Sequence, residues 1–496
     1  MTGTPPSTAP PWTTPGNLGA EIHETHTGLV ALIGDRAYKT KKAVVTDFLD
    51  FSSVARREQT CAREVELNRR LAPDSYLGIG HFDSPEGPSE PVIVMRRYPE
   101  AARLAVLVRS GVPVHAELRA IAAALARFHA TAERGEAVDA EASVTALTER
   151  WQENLTELRR HAGAVLAEAA LAEVTRLATR FLAGRGGLYA SRIAGRRVVD
   201  GHGDLLTQDI FCMPEGPVLL DCLEFDDRLR YVDGVDDAAF LAMDLEYLGR
   251  PDLGEFFLDE YLRSAEDPAP RSLRDFCVAY RAVVRAKVDC VRVTQGHHDA
   301  AVDARAHLDI ALAHLRRATV PLVIIGGGPG TGKTTLAHAL APRIDAVVIS
   351  TDDVRRELRE AGTIAGAIGD LHSGLYAPQN VAAVYDEVLR RAHAALGTGR
   401  AVIVDGTWRD RRHRDKARSV GAECHSPVVE FACTVPISEA VQRISTRTAT
   451  TSDATPGIAT ALSEGEQRWP EALPVDTSVP VSDTAAELER VCRLAG

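Results

Sequence analysis

No segment restricts the fold of this chain more than Gly327-Gly328-Pro329-Gly330-Thr331-Gly332-Lys333-Thr334, followed by Thr335. The apolar, β-branched run Pro321–Ile325 precedes it, and Thr335–Ala341 suits a helix. A glycine-rich turn between a strand and a helix lets backbone N–H groups curl around phosphate oxygens, and the helix N-terminus adds positive potential. Lys333 would then reach the β/γ-phosphates of a nucleotide, and the Thr334 hydroxyl would ligate Mg²⁺. The fold that supplies this context is a parallel sheet with helices on its faces.

Two further apolar runs extend the pattern. Ala346–Ile349 delivers Ser350-Thr351-Asp352-Asp353-Val354-Arg355, and Ala401–Val404 delivers Asp405-Gly406-Thr407-Trp408-Arg409. A carboxylate at the C-terminal edge of such a strand is placed to take a proton from an acceptor hydroxyl, the role expected of Asp352. Asp405 is expected in the Mg²⁺ shell, and Asp353 as a helix-capping acid.

These residues resemble the small P-loop kinases that include polynucleotide 5′-hydroxyl kinases, zeta toxins and gluconate-kinase-like enzymes. The resemblance covers 320–496. It implies that Asp352 is the general base and that Arg355 contacts the acceptor. The D-G-T-x-R of Asp405–Arg409 looks like the E-G-T-x-R of zeta toxins. Arg443 and Arg447, four apart, share a helix face; by resemblance they form a lid over the triphosphate, and a solvated basic face is the competing reading. The run from Arg409 to Arg418 is interleaved with Asp410 and Asp415 and is expected to be a solvated helix.

A second set of carboxylates lies about a hundred residues upstream. His202-Gly203-Asp204 forms a turn, Asp209 follows five positions later, and the β-type run Val218–Leu220 ends in Asp221. Phosphoryl transfer to a hydroxyl needs one carboxylate to accept a proton and others to hold Mg²⁺. Asp204 suits the first task, Asp209 and Asp221 the second. The pattern resembles the aminoglycoside phosphotransferase and choline kinase group, H-x-D-x-x-x-x-N followed by a metal-binding Asp. Asp209 departs from it, since that group carries Asn there.

Gly28–Ile33 and Asp35–Lys39 read as two strands turning at Gly34, and Ala37-Tyr38-Lys39 matches the A-x-K of kinase-like lobes. Lys39 is the expected phosphate clamp. Glu64, on a helix over 56–71, is its expected partner, with Glu66 as rival and Lys41 and Lys42 as competing lysines. Pro91–Tyr98 is a candidate strand and hinge. Leu118, Ile121, Leu125 and Phe128 share one helical face. By resemblance His202 orients the loop. The acids from Glu224 to Asp237 are open to two readings, a pocket for a cationic acceptor or caps and ion pairs. His297-His298 is expected on the surface, and 272–317 as two helices running almost directly into Pro321.

At 496 residues and 53.4 kDa the chain exceeds one hydrophobic core. Its formal charge of -12 disfavours nucleic acid as a partner without excluding a local basic patch. Residues 1–20 read as a disordered tail without the basic and apolar regions of a secretory leader. No apolar run approaches a membrane span, so a cytoplasmic protein is expected. Eight scattered cysteines without C-x-x-C spacing read as reduced thiols.

The sequence thus predicts an α/β and α+β multidomain protein. A protein-kinase-like, aminoglycoside phosphotransferase-like two-lobed domain spans 21–316, with a small lobe to 98 and a helical lobe from 99. A P-loop NTPase parallel-sheet domain spans 320–496. Nearly the whole arrangement resembles bacterial fused proteins joining these two types. The expected activity is ATP- and Mg²⁺-dependent phosphoryl transfer to a small hydroxyl compound such as a sugar, aminosugar or nucleotide sugar. The alternatives are a nucleotide-sensing protein with an N-terminal pseudokinase, and a polynucleotide 5′-hydroxyl kinase.

Overall fold

Gly28–Ile33 and Arg36–Lys41 pair as a hairpin closed at Gly34, with Ile33 opposite Arg36. In the computed structural model these are strands β2 and β3 of an antiparallel sheet with Glu21–Glu24 (β1), Tyr76–Phe82 (β4) and Glu90–Arg96 (β5), in the order β1-β2-β3-β5-β4. The structure describes residues 21–24, 28–44, 50–83, 89–367, 373–446 and 469–495. The 1–20 tail and Arg447 lie outside them.

Helix α1 (Val54–Asn68) is capped by Ser53, whose side chain accepts from the Arg56 N–H. Its buried residues Arg57, Cys61, Glu64, Val65 and Asn68 recur at three- and four-residue spacing, so one face meets the sheet. Cys61 and Val65 join Ala37, Ile93, Met95 and Tyr76 in a core. Val198–Asp200 (β6) leads to the hairpin Ile210–Met213 (β7) and Gly216–Leu219 (β8), and Tyr231–Asp233 (β9) follows. Phe211 and Leu220 of this hairpin region belong to the same core. The predicted face of helix His115–Thr131 is confirmed, with Leu118, Ile121, Leu125 and Phe128 all buried.

The chain divides into two compact units. One holds the described residues up to Ala132 together with Asp200–Arg230; the other holds Glu133–Val199 and the chain from Tyr231 onward. In the second unit the two helices expected over 272–317 are Arg271–Thr294 and Ala300–Arg317, packed on each other. The latter runs through the buried Ala318 and Val320 into Leu322–Gly326 (β10). Ala346–Ser350 (β11), Ala401–Asp405 (β12), Val428–Thr434 (β13) and Leu473–Asp476 (β14) complete a parallel sheet ordered β11-β12-β10-β13-β14. The fully buried runs of β10 and β12 are those of a parallel sheet covered on both faces.

Within this unit the helices and the parallel sheet are joined by buried polar contacts. Arg185, 2% exposed, donates to the carbonyls of Leu396 (2.8 Å) and Cys424 (3.2 Å) and to Ser426 Oγ (2.9 Å). With the Gly184 carbonyl, also an acceptor at 2.7 Å, these oxygens around one guanidinium fix the helix that ends at Gly184 against two helix ends of the sheet layer.

His314 makes a second such joint, its Nδ1 facing Asp275 Oδ1 and its Nε2 facing Glu246 Oε2, each at 2.7 Å. Burial opposes its protonation, but the two carboxylates raise its pKa above 6.5, with Arg317 alongside acting against them. The raised histidine contributes stability that is complete below its unfolded pKa and lost as pH rises through the folded one. The lowered Asp275 and Glu246 contribute stability lost as pH falls through their range. The melting temperature is therefore expected to fall as pH rises above the ordinary histidine range and through the raised folded pKa of His314, and His314→Gln to flatten that slope. Parallel melts of the two proteins across pH check it; equal slopes would remove His314 as the cause.

Candidate functional sites

The sequence of the parallel sheet reverses direction at β10, and the crevice beyond its C-terminal end is where such sheets bind ligands. The predicted phosphate loop lies there, leading from β10 into helix Lys333–Leu340, whose N-cap is Gly332. Gly330 adopts φ +80°, and a Cβ on it would stand 2.5 Å from the Ala440 carbonyl oxygen, so no other residue fits. Lys333 Nζ donates to the Gly328 carbonyl at 2.9 Å, folded back across the loop. Thr331 Oγ1 also donates to Gly328 O, at 2.8 Å, and Thr477 Oγ1 donates to Thr331 O, at 2.7 Å.

Thr334 Oγ1 donates to Asp405 Oδ2 at 2.5 Å, while Asp405 Oδ1 is buried without a hydrogen-bond partner. Burial pushes the Asp405 carboxyl up, against the pull of Lys333 and the Thr334 hydroxyl. A hydroxyl beside a carboxylate with an unused oxygen fits a hard cation such as Mg²⁺. Thr334 and Asp405 are the residues that would hold it.

Asp352 and Arg355 lie one helical turn apart on Thr351–Glu360 and pair at 2.5 Å. Arg355 is 9% exposed, stacks over the Tyr376 ring at 4.7 Å, and leaves its Nε without a hydrogen-bond partner. The cap of this helix is Ser350, which accepts from the Asp352 N–H; Asp353 instead pairs with Arg356, which corrects the capping role expected of it. Arg443, on Ile437–Ser445, donates to Glu439 and to the Thr477 carbonyl at 2.8 Å, and its Nη1 is 3.4 Å from where a Gly332 Cβ would be. Beside it a cavity of about 370 Å³ is walled by Leu336, Val479 and Val481.

The basic run at 409–418 is not uniformly solvated. Arg414 is buried, donating to the carbonyls of Trp408 and Arg409, and His413 stacks on Tyr385 at 4.2 Å. The i, i+4 pattern of charge hid this, because a buried arginine that satisfies carbonyls looks in sequence like an exposed one.

In the first unit, pairing of Ile210 with Leu219 brings Asp209 and Asp221 to the open end of one hairpin. The Asp221 carboxylate contacts Lys39 Nζ, and Lys39 is 2.9 Å from Glu64 Oε1. Glu64 is thus the partner and Glu66 is not: Glu66 pairs with Arg63. Lys41 also reaches Glu64, at 2.6 Å, and contacts Glu224. It lies two residues along β3 from Lys39 and hence on the same face, whereas Lys42 turns to Glu24. Sequence reasoning treated Lys41 as a rival; the period of the strand was the signal that it is a second partner.

Burial opposes the charge on Lys39, but Asp221 and Glu64 hold its pKa well above 10.5. Asp221 is likewise lowered, burial being outweighed by Lys39 and Lys41. Asp209 goes the other way: burial, then Asp221 and Asp204, push it well above 3.8. His202 is fully buried, with Nε2 on the Leu220 carbonyl at 3.0 Å and Nδ1 accepting from the Asp204 N–H at 3.3 Å. It joins the turn bearing Asp204 to the strand end bearing Asp221. Among the described residues no three His, Cys, Asp or Glu side chains cage a metal alone. Asp209 and Asp221 fit the other mode, in which Mg²⁺ takes one or two carboxylates and shares phosphate oxygens.

The acids considered as a cationic pocket are engaged elsewhere. Glu224 pairs with Lys41, Asp226 with Arg228, and Asp227 with Arg230 and Arg63. In the second unit Asp233 pairs with Arg192, and Asp236 with Arg281. The ion-pair reading holds for these five.

Residues 322–469 match the AAA domain family model. The chain is 51% identical over 476 residues to the uncharacterized protein Rv2004c of Mycobacterium tuberculosis, covering 96% of each. The chain belongs to that protein's family. Among solved structures, a choline/ethanolamine kinase family protein from Mesorhizobium loti matches 62% of this chain and 96% of its own, at 16% identity and a TM-score of 0.36. A gluconokinase from Sinorhizobium meliloti matches 35% of this chain and 93% of its own, at 16% identity and a TM-score of 0.28. In this family member a five-stranded antiparallel sheet bearing the Lys39–Glu64 pair precedes the five-stranded parallel sheet that holds the AAA domain match. Among the described residues no helix is long and apolar enough to cross a membrane.

Proposed function

We propose that the protein is an ATP- and Mg²⁺-dependent phosphotransferase with two phosphoryl-transfer sites, acting on a small hydroxyl acceptor such as a sugar, aminosugar or nucleotide sugar. The observation that carries the reading is the Thr334–Asp405 contact at the mouth of the phosphate loop, with Asp405 Oδ1 buried and unpartnered. Gly327–Thr335 and Lys333 bind the triphosphate, and the cavity at Leu336 and Val479 takes the remainder of the nucleotide. Asp352 accepts the acceptor proton, released from Arg355 as that guanidinium turns to the acceptor, and Arg443 offsets charge on the transferring group. Bound Mg²⁺ supplies neutralisation of phosphate charge.

In the other site Lys39 clamps phosphates, oriented by Glu64, while Asp204 takes the hydroxyl proton and Asp209 with Asp221 hold the cation. We assign these sites to a kinase-like domain over 21–316 and a P-loop domain over 320–496, in a cytoplasmic protein. Asp209 favours a second reading, a nucleotide-sensing protein whose first site binds without turnover.

Transfer from γ-labelled ATP to a panel of sugars, aminosugars, nucleotide sugars and oligonucleotides tests both. Wild type, Lys333→Ala and Asp204→Ala are compared. Loss of one labelled acceptor in one variant alone assigns that chemistry to its site. ATP hydrolysis with no acceptor labelled supports the sensing reading, and end-labelled oligonucleotide would make the P-loop domain a polynucleotide kinase.

A further inference from the structure

Asp221 stands just past the end of β8 in the left-handed conformation, φ +66°, which few residues with a side chain adopt. Strain of this kind persists only where the surroundings enforce it. Here two buried side chains do so. The Asp221 N–H donates to Tyr76 Oη at 3.1 Å, and the Cys222 N–H donates to Asn68 Oδ1 at 2.8 Å. Both Tyr76 and Asn68 are 1% exposed. Asn68 uses its other end as well, Nδ2 donating to the Glu64 carbonyl at 2.9 Å.

Tyr76 comes from β4 and Asn68 from the last turn of α1, one helical turn after Glu64. A buried amide and a buried phenol are costly unless paired, so an apolar core alone does not account for them. What they pair with is the backbone on either side of one carboxylate, and the backbone of the residue that orients Lys39. No part of the Lys39, Glu64 or Asp221 signatures points to these two positions in sequence.

We propose that Asn68 and Tyr76 are positioning residues for the first site: they fix the Asp221 peptide so that its carboxylate is aimed for a divalent cation, and they tie that aim to Glu64. The proposal rests on the reading of Asp221 as a cation-holding residue. Without the Tyr76 hydroxyl the Asp221 N–H loses its partner, the left-handed conformation loses one of its two restraints, and the carboxylate swings off its bearing. The nucleotide's contact with Lys39 is left in place.

The test uses the full chain carrying Lys333→Ala and Thr334→Ala, so that the P-loop site is silenced. Mg²⁺ is titrated at a fixed concentration of a fluorescent ATP analogue, and the analogue's affinity without Mg²⁺ and the melting temperature are measured alongside. Tyr76→Phe, which keeps the ring in the core, is expected to raise the Mg²⁺ half-saturation by roughly tenfold to a hundredfold, as loss of an orienting partner of a metal ligand does. Affinity without Mg²⁺ stays close to that of the parent, and the melting temperature falls by no more than a few degrees, as for one N–H left without its partner. Asn68→Ser, whose side chain no longer spans from Glu64 O to the Cys222 N–H, is the second variant and moves Mg²⁺ half-saturation the same way. If both variants titrate like the parent while Asp221→Ala loses its Mg²⁺ response, the proposal is overturned and the reading of Asp221 stands. If Asp221→Ala also titrates like the parent, the cation reading of Asp221 is what fails, and the proposal goes with it.

Discussion

Lys333→Ala is expected to cut nucleotide turnover by the P-loop site by roughly a hundredfold to a thousandfold, the range for losing a preorganised charge at a transferring phosphoryl group. The fold should hardly notice. In the structure Lys333 is half-buried and its ammonium has one hydrogen-bond acceptor, the Gly328 carbonyl at 2.9 Å. Losing that bond costs about 1 kcal/mol at most, because water can replace the ammonium at a part-exposed carbonyl. The loop's shape is set instead by Gly330 and by the chain of hydroxyl contacts through Thr331 and Thr477. A melt within a few degrees of wild type, together with lost ATP turnover, is the expected pair of results. Turnover at the wild-type rate would move the hydrolysis to the site of Lys39 and Asp204.

Motifs whose chemistry is carried by the backbone were readable from sequence, because glycines and their spacing record what the backbone must do. The phosphate loop, the strand before it and the helix after it came out within a residue or two. So did the β2–β3 hairpin and the pairing of Lys39 with Glu64. Contacts that depend on tertiary approach were not readable. Asn68 and Tyr76 reach Asp221 and Cys222 across 145 or more positions of sequence, and neither residue type announces a backbone partner. Arg185 and Arg414 look like surface arginines until the carbonyls around them are seen. Asp209 stands where the resembled group carries Asn; its burial beside Asp221 and Asp204, which no local pattern encodes, pushes its carboxyl up.

Glu64→Ala is expected to destabilise the first unit by about 3 kcal/mol, the lower end of the range for removing one member of a buried ion pair. Lys39 at 2.9 Å and Lys41 at 2.6 Å share a carboxylate that is itself fully buried. Deleting it leaves two ammonium groups in a space that water reaches poorly, 14% and 3% exposed at their side chains. Two fallbacks keep the cost from doubling. Lys39 retains Asp221 and Lys41 retains Glu224, so neither charge is stranded. Those fallbacks carry a functional consequence: with Glu64 gone, Lys39 is drawn wholly onto Asp221, and the group that should clamp phosphate is held on the carboxylate that should hold the cation. Glu64→Ala should therefore lose both stability and Mg²⁺-nucleotide binding at this site, whereas Lys41→Met should lose stability chiefly. Thermal melts and nucleotide titrations of the two variants separate the effects. Equal loss of binding in both would mean that Lys41 itself meets the phosphates.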